Sequence, residues 1–226
     1  MTADRSERVP AQVHEHAHAQ VHEQVAEALA ELALAGSAVS APQLVEQYRH
    51  LLRTTPRGLL REGGPRHLTA SAIVVDADGD HVALLWHRKG RFWVQPGGHL
   101  EEGETSLERA ARREVAEEIG LEELERIGPG PAVLHQHALD AAFGACAEHW
   151  DVQYLFRAAA PASQLPLTAS EESPEVRWVP WPRTGEGTAR DASALPEGFD
   201  WPTGGMEATL AGEDAAPVAI SAARAD

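Results

Sequence analysis

One cysteine, Cys146, is all the chain carries, so an intramolecular disulfide and a cysteine-rich zinc site are excluded, and the composition suits a reducing cytoplasm. Asparagine is absent altogether, so any hydrogen-bonded reading of a purine has to come from Asp, Gln or backbone. Apolar runs are short. No window approaches the ~18 uninterrupted apolar residues of a membrane span, and the best stretch, Val25 to Ala35, is broken by Glu27 and Glu31. The N-terminal residues offer no apolar segment of signal-peptide length. Positive charge is scarce too: 19 Lys and Arg stand against 35 Asp and Glu, a formal net charge of -16. That argues against a nonspecific nucleic-acid binder or an anionic-membrane binder, although a local basic patch can still hold phosphates. The expectation is a cytoplasmic protein whose partner is a small molecule, with no nucleic acid and no membrane, and with a homodimer as a further candidate.

Within 226 residues there is room for one domain of ordinary size plus extra material at its ends. From about Val13 to Ala35 the chain is rich in Ala, Glu, Gln and Leu, with Val21, Val25, Leu29, Leu32 and Leu34 in a roughly helical stripe. A second helix is expected from Pro42 to Thr54, stopped by Pro56. At about Leu68 the texture changes to β-branched and apolar. Thr69–Val75 and Val82–Trp86 flank an Asp- and Gly-bearing turn, which is a hairpin signal. A short strand at Phe92–Val94 runs into Pro96-Gly97-Gly98, read as a turn, and a helix from about Ser106 to Ile119 is closed by Gly120. Further strands are expected at 132–138, 150–158 and 175–179. The pattern predicts an α+β fold in which strands surround one well-marked helix. Residues 1–60 form a helical extension, 61–183 the main domain, and 184–226 a loosely ordered acidic tail.

The helix at 106–119 carries the chemistry. Glu114, Glu117 and Glu118 fall within an arc of roughly 100°, because positions i, i+3 and i+4 are neighbours. A solvated acidic face is the simple explanation. The helical wheel argues otherwise: with Leu107 at zero, Glu114 lies at about -20° and Glu118 at about +20°, in line with Leu107 and Ala111. Arg109, Arg112, Arg113 and Ala116 are read as facing outward. Carboxylates turned toward the protein body repel one another and lose hydration unless a cation neutralises them. Oxygen-only ligands suit a hard ion such as Mg²⁺, and the Gly97-Gly98 pair lets backbone approach an ion or phosphate closely.

Gly98 through Leu121 resembles the Nudix box, a glycine and a glutamate followed by Arg-Glu-apolar-x-Glu-Glu-x-Gly-apolar. Arg113-Glu114-Val115-Ala116-Glu117-Glu118-Ile119-Gly120-Leu121 matches at every specified position, and Trp93 to Gly98 is similar to the family's approach to the box. One departure stands out: eight residues, Thr105 to Arg112, separate Glu104 from Arg113 where the family has seven. The extra residue is expected in the loop at the helix start, where Thr105 or Ser106 can cap. The resemblance, which extends over about Leu68 to Pro182, implies an α/β/α sandwich of mixed sheet with helices, here preceded by a helical hairpin.

It also implies a pyrophosphohydrolase that cleaves a nucleoside diphosphate linked to another moiety, with Mg²⁺ or Mn²⁺ bridging the pyrophosphate and water as nucleophile. Gly98, Glu114, Glu117 and Glu118 are then the metal ligands, and Arg113, Glu117 and Glu118 the catalytic group, with Arg113 orienting Glu117 or making a surface ion pair with it. Arg88, Lys89 and Arg91 are candidates for substrate phosphates or plain residues of a charged turn. Glu171 and Glu172 are alternative bases or solvated acids, and Trp93 and Trp150 either stack on a base or belong to the core. A nucleoside triphosphate and a nucleotide-sugar type substrate both stay open.

Two other readings compete. A Nudix-fold module that binds a nucleotide metabolite without turnover is expected to lose box acids, and here all three are present. An isopentenyl diphosphate isomerase relative needs a site cysteine, for which the Gly-Ala-Cys-Ala context of Cys146 gives no support. Separately, His14, His18 and His22 share a helical face, with His16 nearby; such a run either binds a transition metal or is simply solvated.

Overall fold

The computed structural model describes residues 11–35, 42–139 and 143–181, the side chains of residues 11–19 excepted. The acidic tail and most of the His-rich run therefore lie outside the described side chains.

Two helices come first. α1 (Ala11–Ala33) buries Gln24, Val25, Ala28 and Leu32 at three- and four-residue intervals, the spacing of a single helical stripe. α2 (Pro42–Thr54) starts on a proline, whose missing N–H costs nothing in the first turn, and buries Tyr48 and Leu52. Two short 3-10 turns, Pro56–Leu59 and Arg61–Gly63, lead into the sheet.

The sheet is built around β1 (Arg66–Val75), which pairs along its whole length with β7 (Glu148–Ala158) in parallel. β2 (His81–His87), β3 (Phe92–Val94) and β8 (Val176–Pro180) extend it on one side, and β5 (Leu124–Arg126) and β6 (Val133–Ala138) pair with β7 on the other. Every pairing except β1 with β7 is antiparallel, so the sheet is mixed. At the β1–β2 turn the Asp76 carboxylate accepts from the amides of Asp80 and His81 at 2.9 and 3.1 Å, and Gly79 takes φ 72° as the turn requires.

Gly97–His99 is not the expected turn. It forms a short strand, β4, antiparallel to β1, with Ser71 opposite Gly97 and Thr69 opposite His99. A Cβ on Gly97 would lie 2.3 Å from the Ser71 Cβ, so glycine serves here to let two strands touch.

The two faces of the sheet bury different clusters. Leu68, Ala70, Ala72 and Val74 of β1 join α1, α2 and α3 (Leu107–Ile119) in one core. Ile73 and Val75 join Leu84, Leu155, Val179 and Trp181 in the other, to which no helix of the described residues contributes. The mixed sheet with helices, and the N-terminal helices ahead of it, follow the sequence expectation.

Candidate active site

α3 is fixed at both ends. Ser106 caps it by accepting from the Arg109 amide at 3.2 Å, so the helix begins at Leu107, with Thr105 and Ser106 ahead of it. Gly120 closes it in the left-handed region at φ 75°. A second cap comes from far away in sequence: the Glu31 carboxylate of α1 accepts from the amides of Leu107 and Glu108 at 2.9 and 3.0 Å, and from the Tyr154 hydroxyl. Gln24 of α1 donates to the Glu104 carbonyl at 2.6 Å. The loop and first turn of the box therefore rest on α1.

The apolar side of α3, Leu107, Ala110, Ala111, Val115 and Ile119, packs into the core. Glu114 and Glu118 lie at its edge and turn toward β4. The Glu118 carboxylate accepts from the Gly97 amide at 2.9 Å and from the Ser173 hydroxyl at 3.3 Å. Gly98 faces Glu114 so closely that a Cβ there would lie 2.4 Å from Glu114 Oε1. Glu117 differs from its neighbours in being largely exposed, with 58% side-chain accessibility, so two of the three acids, not all three, turn inward.

Arg113 departs from the outward position read from the helical wheel. Its guanidinium is a hub: it donates to both Glu104 oxygens at 2.9 and 3.1 Å, to Glu114 at 2.9 Å, to Glu117 at 3.0 Å and to the His99 carbonyl at 2.9 Å. The pairing with Glu117 is seen, yet the fork on Glu104 holds the side chain inside the cluster. Arg112 is not solvated either, lying over the Phe156 ring at 4.3 Å and bonded to Glu108.

Burial pushes the carboxyl groups of Glu114 and Glu118 up to about 7. For Glu114 the charge and hydrogen bond of Arg113 oppose this; for Glu118 the Gly97 amide opposes it and the Glu114 charge adds to it. Two carboxylates that resist ionising, aimed at a glycine backbone, form an oxygen-only donor set in need of positive charge. That is the chemistry of a hard divalent cation, and Gly98, Glu114, Glu117 and Glu118 fit it.

The remaining candidates lie at the margin. Arg88 reaches the Glu171 carbonyl at 3.5 Å and Lys89 sits 5.1 Å from the Phe143 ring centre; Arg91 holds φ 60° in the turn after β2. These contacts place the turn beside the loop that carries Ser173, not on the acids. Glu172 is close enough for its charge to raise Glu118. Trp93 is buried, with the Arg177 guanidinium 3.6 Å from its ring centre, and Trp150 packs on Tyr48, so the rings already have neighbours. Ser173, Gln24 and Glu31 had no sequence signal, because each meets the box only through tertiary folding.

A family model of the NUDIX domain matches residues 65–198. A protein designated mutator protein MutT4 in Mycobacterium tuberculosis (strain CDC 1551 / Oshkosh) is 37% identical over 95 residues, covering 38% of this chain and 37% of that protein. The chain thus spans well under half the length of this curated relative. Among solved structures, a NUDIX-family hydrolase from Clostridium perfringens is 23% identical, covering 51% of this chain and 81% of that one, with a TM-score of 0.42. The E. coli dihydroneopterin triphosphate pyrophosphohydrolase is 17% identical, covering 49% and 78%, with a TM-score of 0.40.

Proposed function

Since the chain belongs to the Nudix family of hydrolases, with the domain at residues 65–198, we propose that it cleaves the pyrophosphate linkage of a nucleoside diphosphate joined to another moiety. A nucleoside triphosphate or a nucleotide sugar is the substrate type, in the cytoplasm. One observation carries the reading: Glu114 and Glu118 are half-buried against the Gly97–Gly98 backbone while Arg113 already spends its donors on Glu104, Glu114, Glu117 and His99. The cluster is built to hold Mg²⁺, or Mn²⁺, through Glu114, Glu117, Glu118 and the Gly98 backbone.

When bound, the ion would neutralise charge on the pyrophosphate oxygens and lower the pKa of a water nucleophile. The chain's own residues do the positioning. Arg113 locks Glu104, Glu114 and Glu117 into one arrangement, and the Gly97 amide and Ser173 hydroxyl fix Glu118. Water adds to one phosphorus as the bond to the bridging oxygen breaks. A carboxylate oxygen of the cluster takes the water proton, and the bridging oxygen leaves on the second phosphate. Arg88, Lys89 and Arg91, on the turn beside the loop that carries Ser173, are the candidates for the outer phosphates.

The test is chromatographic detection of the nucleoside monophosphate product from nucleoside triphosphates, nucleotide sugars and dinucleotides with Mg²⁺ or Mn²⁺, for wild type and Glu118→Gln. Glu118→Gln should lower kcat by about 10²–10⁴-fold at unchanged stability. Nucleotide binding without turnover anywhere on the panel would instead favour a non-catalytic nucleotide-metabolite-binding module.

A further inference from the structure

Away from the acidic cluster, three strand ends bring imidazoles together. His67 near the start of β1 is opposite His149 of β7 in the parallel register, and His99 of β4 is opposite Thr69, two residues along β1. Because side chains alternate across a strand, His67 and Thr69 point to the same face, and the three rings form a near-equilateral triangle with centroids 5.0 to 5.1 Å apart. The buried Cys146 thiol closes the group. Its loop is held there by the Ala147 and Glu148 amides, which both donate to the Pro65 carbonyl, at 2.8 and 3.1 Å. One donor atom from each of His67, His99, His149 and Cys146 lies within 4.8 Å of all the others.

The hydrogen bonding prepares these atoms as ligands. His67 Nδ1 is 2.9 Å from the Gly64 carbonyl; a carbonyl only accepts, so Nδ1 carries the proton and Nε2 keeps its lone pair. That Nε2 faces His99 Nε2 at 3.1 Å. His149 Nε2 is buried with no hydrogen-bond partner, an arrangement that is costly unless something fills it. Burial, with the neighbouring histidines, lowers His149 to about 3, so its ring stays in the neutral form a metal needs.

We propose that His67, His99, His149 and Cys146 form a second metal site that binds Zn²⁺ tetrahedrally through three imidazole nitrogens and one thiolate. Ligand atoms at tetrahedral Zn–N and Zn–S distances of about 2.0–2.3 Å stand roughly 3.3–3.8 Å apart, so the group needs to close by only about 1 Å. Binding displaces the thiol proton of Cys146 to solvent. The ion would pin the starts of β1 and β7 to β4, next to Gly98 and to the His99 carbonyl that Arg113 grips. Its role is to brace the strand on which the acidic site is built. Nitrogen and sulfur ligands set it apart from the all-oxygen cluster, which selects a harder ion.

The single cysteine gives the test its specificity. Tag-free full-length protein, chelator-stripped and reduced, is titrated with Co²⁺. Expected at one equivalent are the visible bands of tetrahedral cobalt and a thiolate-to-cobalt charge-transfer band, both displaced by Zn²⁺ and not by excess Mg²⁺. Neither the acids nor the His-rich N-terminus can produce the charge-transfer band, and replacing His14, His16, His18 and His22 by alanine leaves it intact. Cys146→Ser abolishes it, and His149→Ala weakens cobalt binding by at least about tenfold. Absence of the band in the folded wild type, or a band whose affinity His149→Ala leaves unchanged, overturns the proposal.

Discussion

Glycines 97 and 98 are adjacent and do different things. An added Cβ at Gly97 would meet the Ser71 Cβ at 2.3 Å and its Cα at 2.7 Å, both close to the β1 backbone, which cannot move without disturbing the sheet. An added Cβ at Gly98 would meet the end of the Glu114 side chain, its Oε1 at 2.4 Å, and that carboxylate can swing aside. Gly97→Ala should therefore lower thermal stability, whereas Gly98→Ala should fold normally with Glu114 displaced. A shift of about 1 Å in a positioning group can cost about 10²-fold in rate, so Gly98→Ala is expected to lose activity on that scale and to need more Mg²⁺ for half-maximal rate. Thermal melts beside metal-dependence curves separate the two variants. Wild-type metal dependence in Gly98→Ala would remove that glycine from the site.

At the scale of elements, α3 depends on α1. Glu31 satisfies the Leu107 and Glu108 amides and Ser106 the Arg109 amide, so the first three N–H groups of α3 all have partners, where an uncapped helix leaves them open. The Glu31 charge also suits the positive end of the helix. Glu31→Ala should cost about 1–3 kcal/mol in urea denaturation, and Glu31→Gln less, since an amide oxygen still accepts. Tyr154 donates to the same carboxylate, so Glu31→Ala and Tyr154→Phe should be non-additive by about 0.5–1.5 kcal/mol in a double-mutant cycle. Strict additivity would mean that the hydroxyl contributes nothing to the cap. None of this was legible in the chain: Glu31 and Leu107 are 76 residues apart, and a glutamate on an amphipathic helix carries no mark of its partner. What was legible is punctuated locally. Pro42 and Pro56 delimited α2, and Ser106 and Gly120 delimited α3. β4 was read as a turn because Gly-Gly has no strand propensity of its own; Ser71 across the ladder makes it a strand. Arg113 was placed outward because a helical wheel knows only the helix, while its strongest partner, Glu104, precedes it.

Across the whole molecule, the N-terminal helices share a core with α3, the helix of the acidic cluster. Val25, Ala28 and Leu32 of α1 and Tyr48 and Leu52 of α2 lie in one buried cluster with Leu107, Ala111 and Val115 of α3 and with β1 and β7. Tyr48 donates to the Asp151 carbonyl of β7 at 3.0 Å. A layer joined this way cannot leave without exposing the back of α3, so α1 and α2 should unfold with the sheet and not before it. Two probes can tell. Trp86, Trp93, Trp150 and Trp178 belong to strands and Trp181 follows β8, while Trp201 lies outside the described residues; with Trp201 replaced by phenylalanine, tryptophan fluorescence follows the sheet, whereas far-ultraviolet circular dichroism draws largely on α1 and α2, the longer share of the helix among the described residues. Their urea transitions should coincide, as two-state unfolding demands. Leu32 is fully buried, and Leu32→Ala should move both transitions together, by about 2–5 kcal/mol. A dichroism transition that precedes the fluorescence one, or a Leu32→Ala effect confined to dichroism, would make α1 and α2 an independently melting appendage. The Glu31 cap would then be lost while the sheet still stood, and the proposed hydrolysis would fail at lower denaturant than the fold.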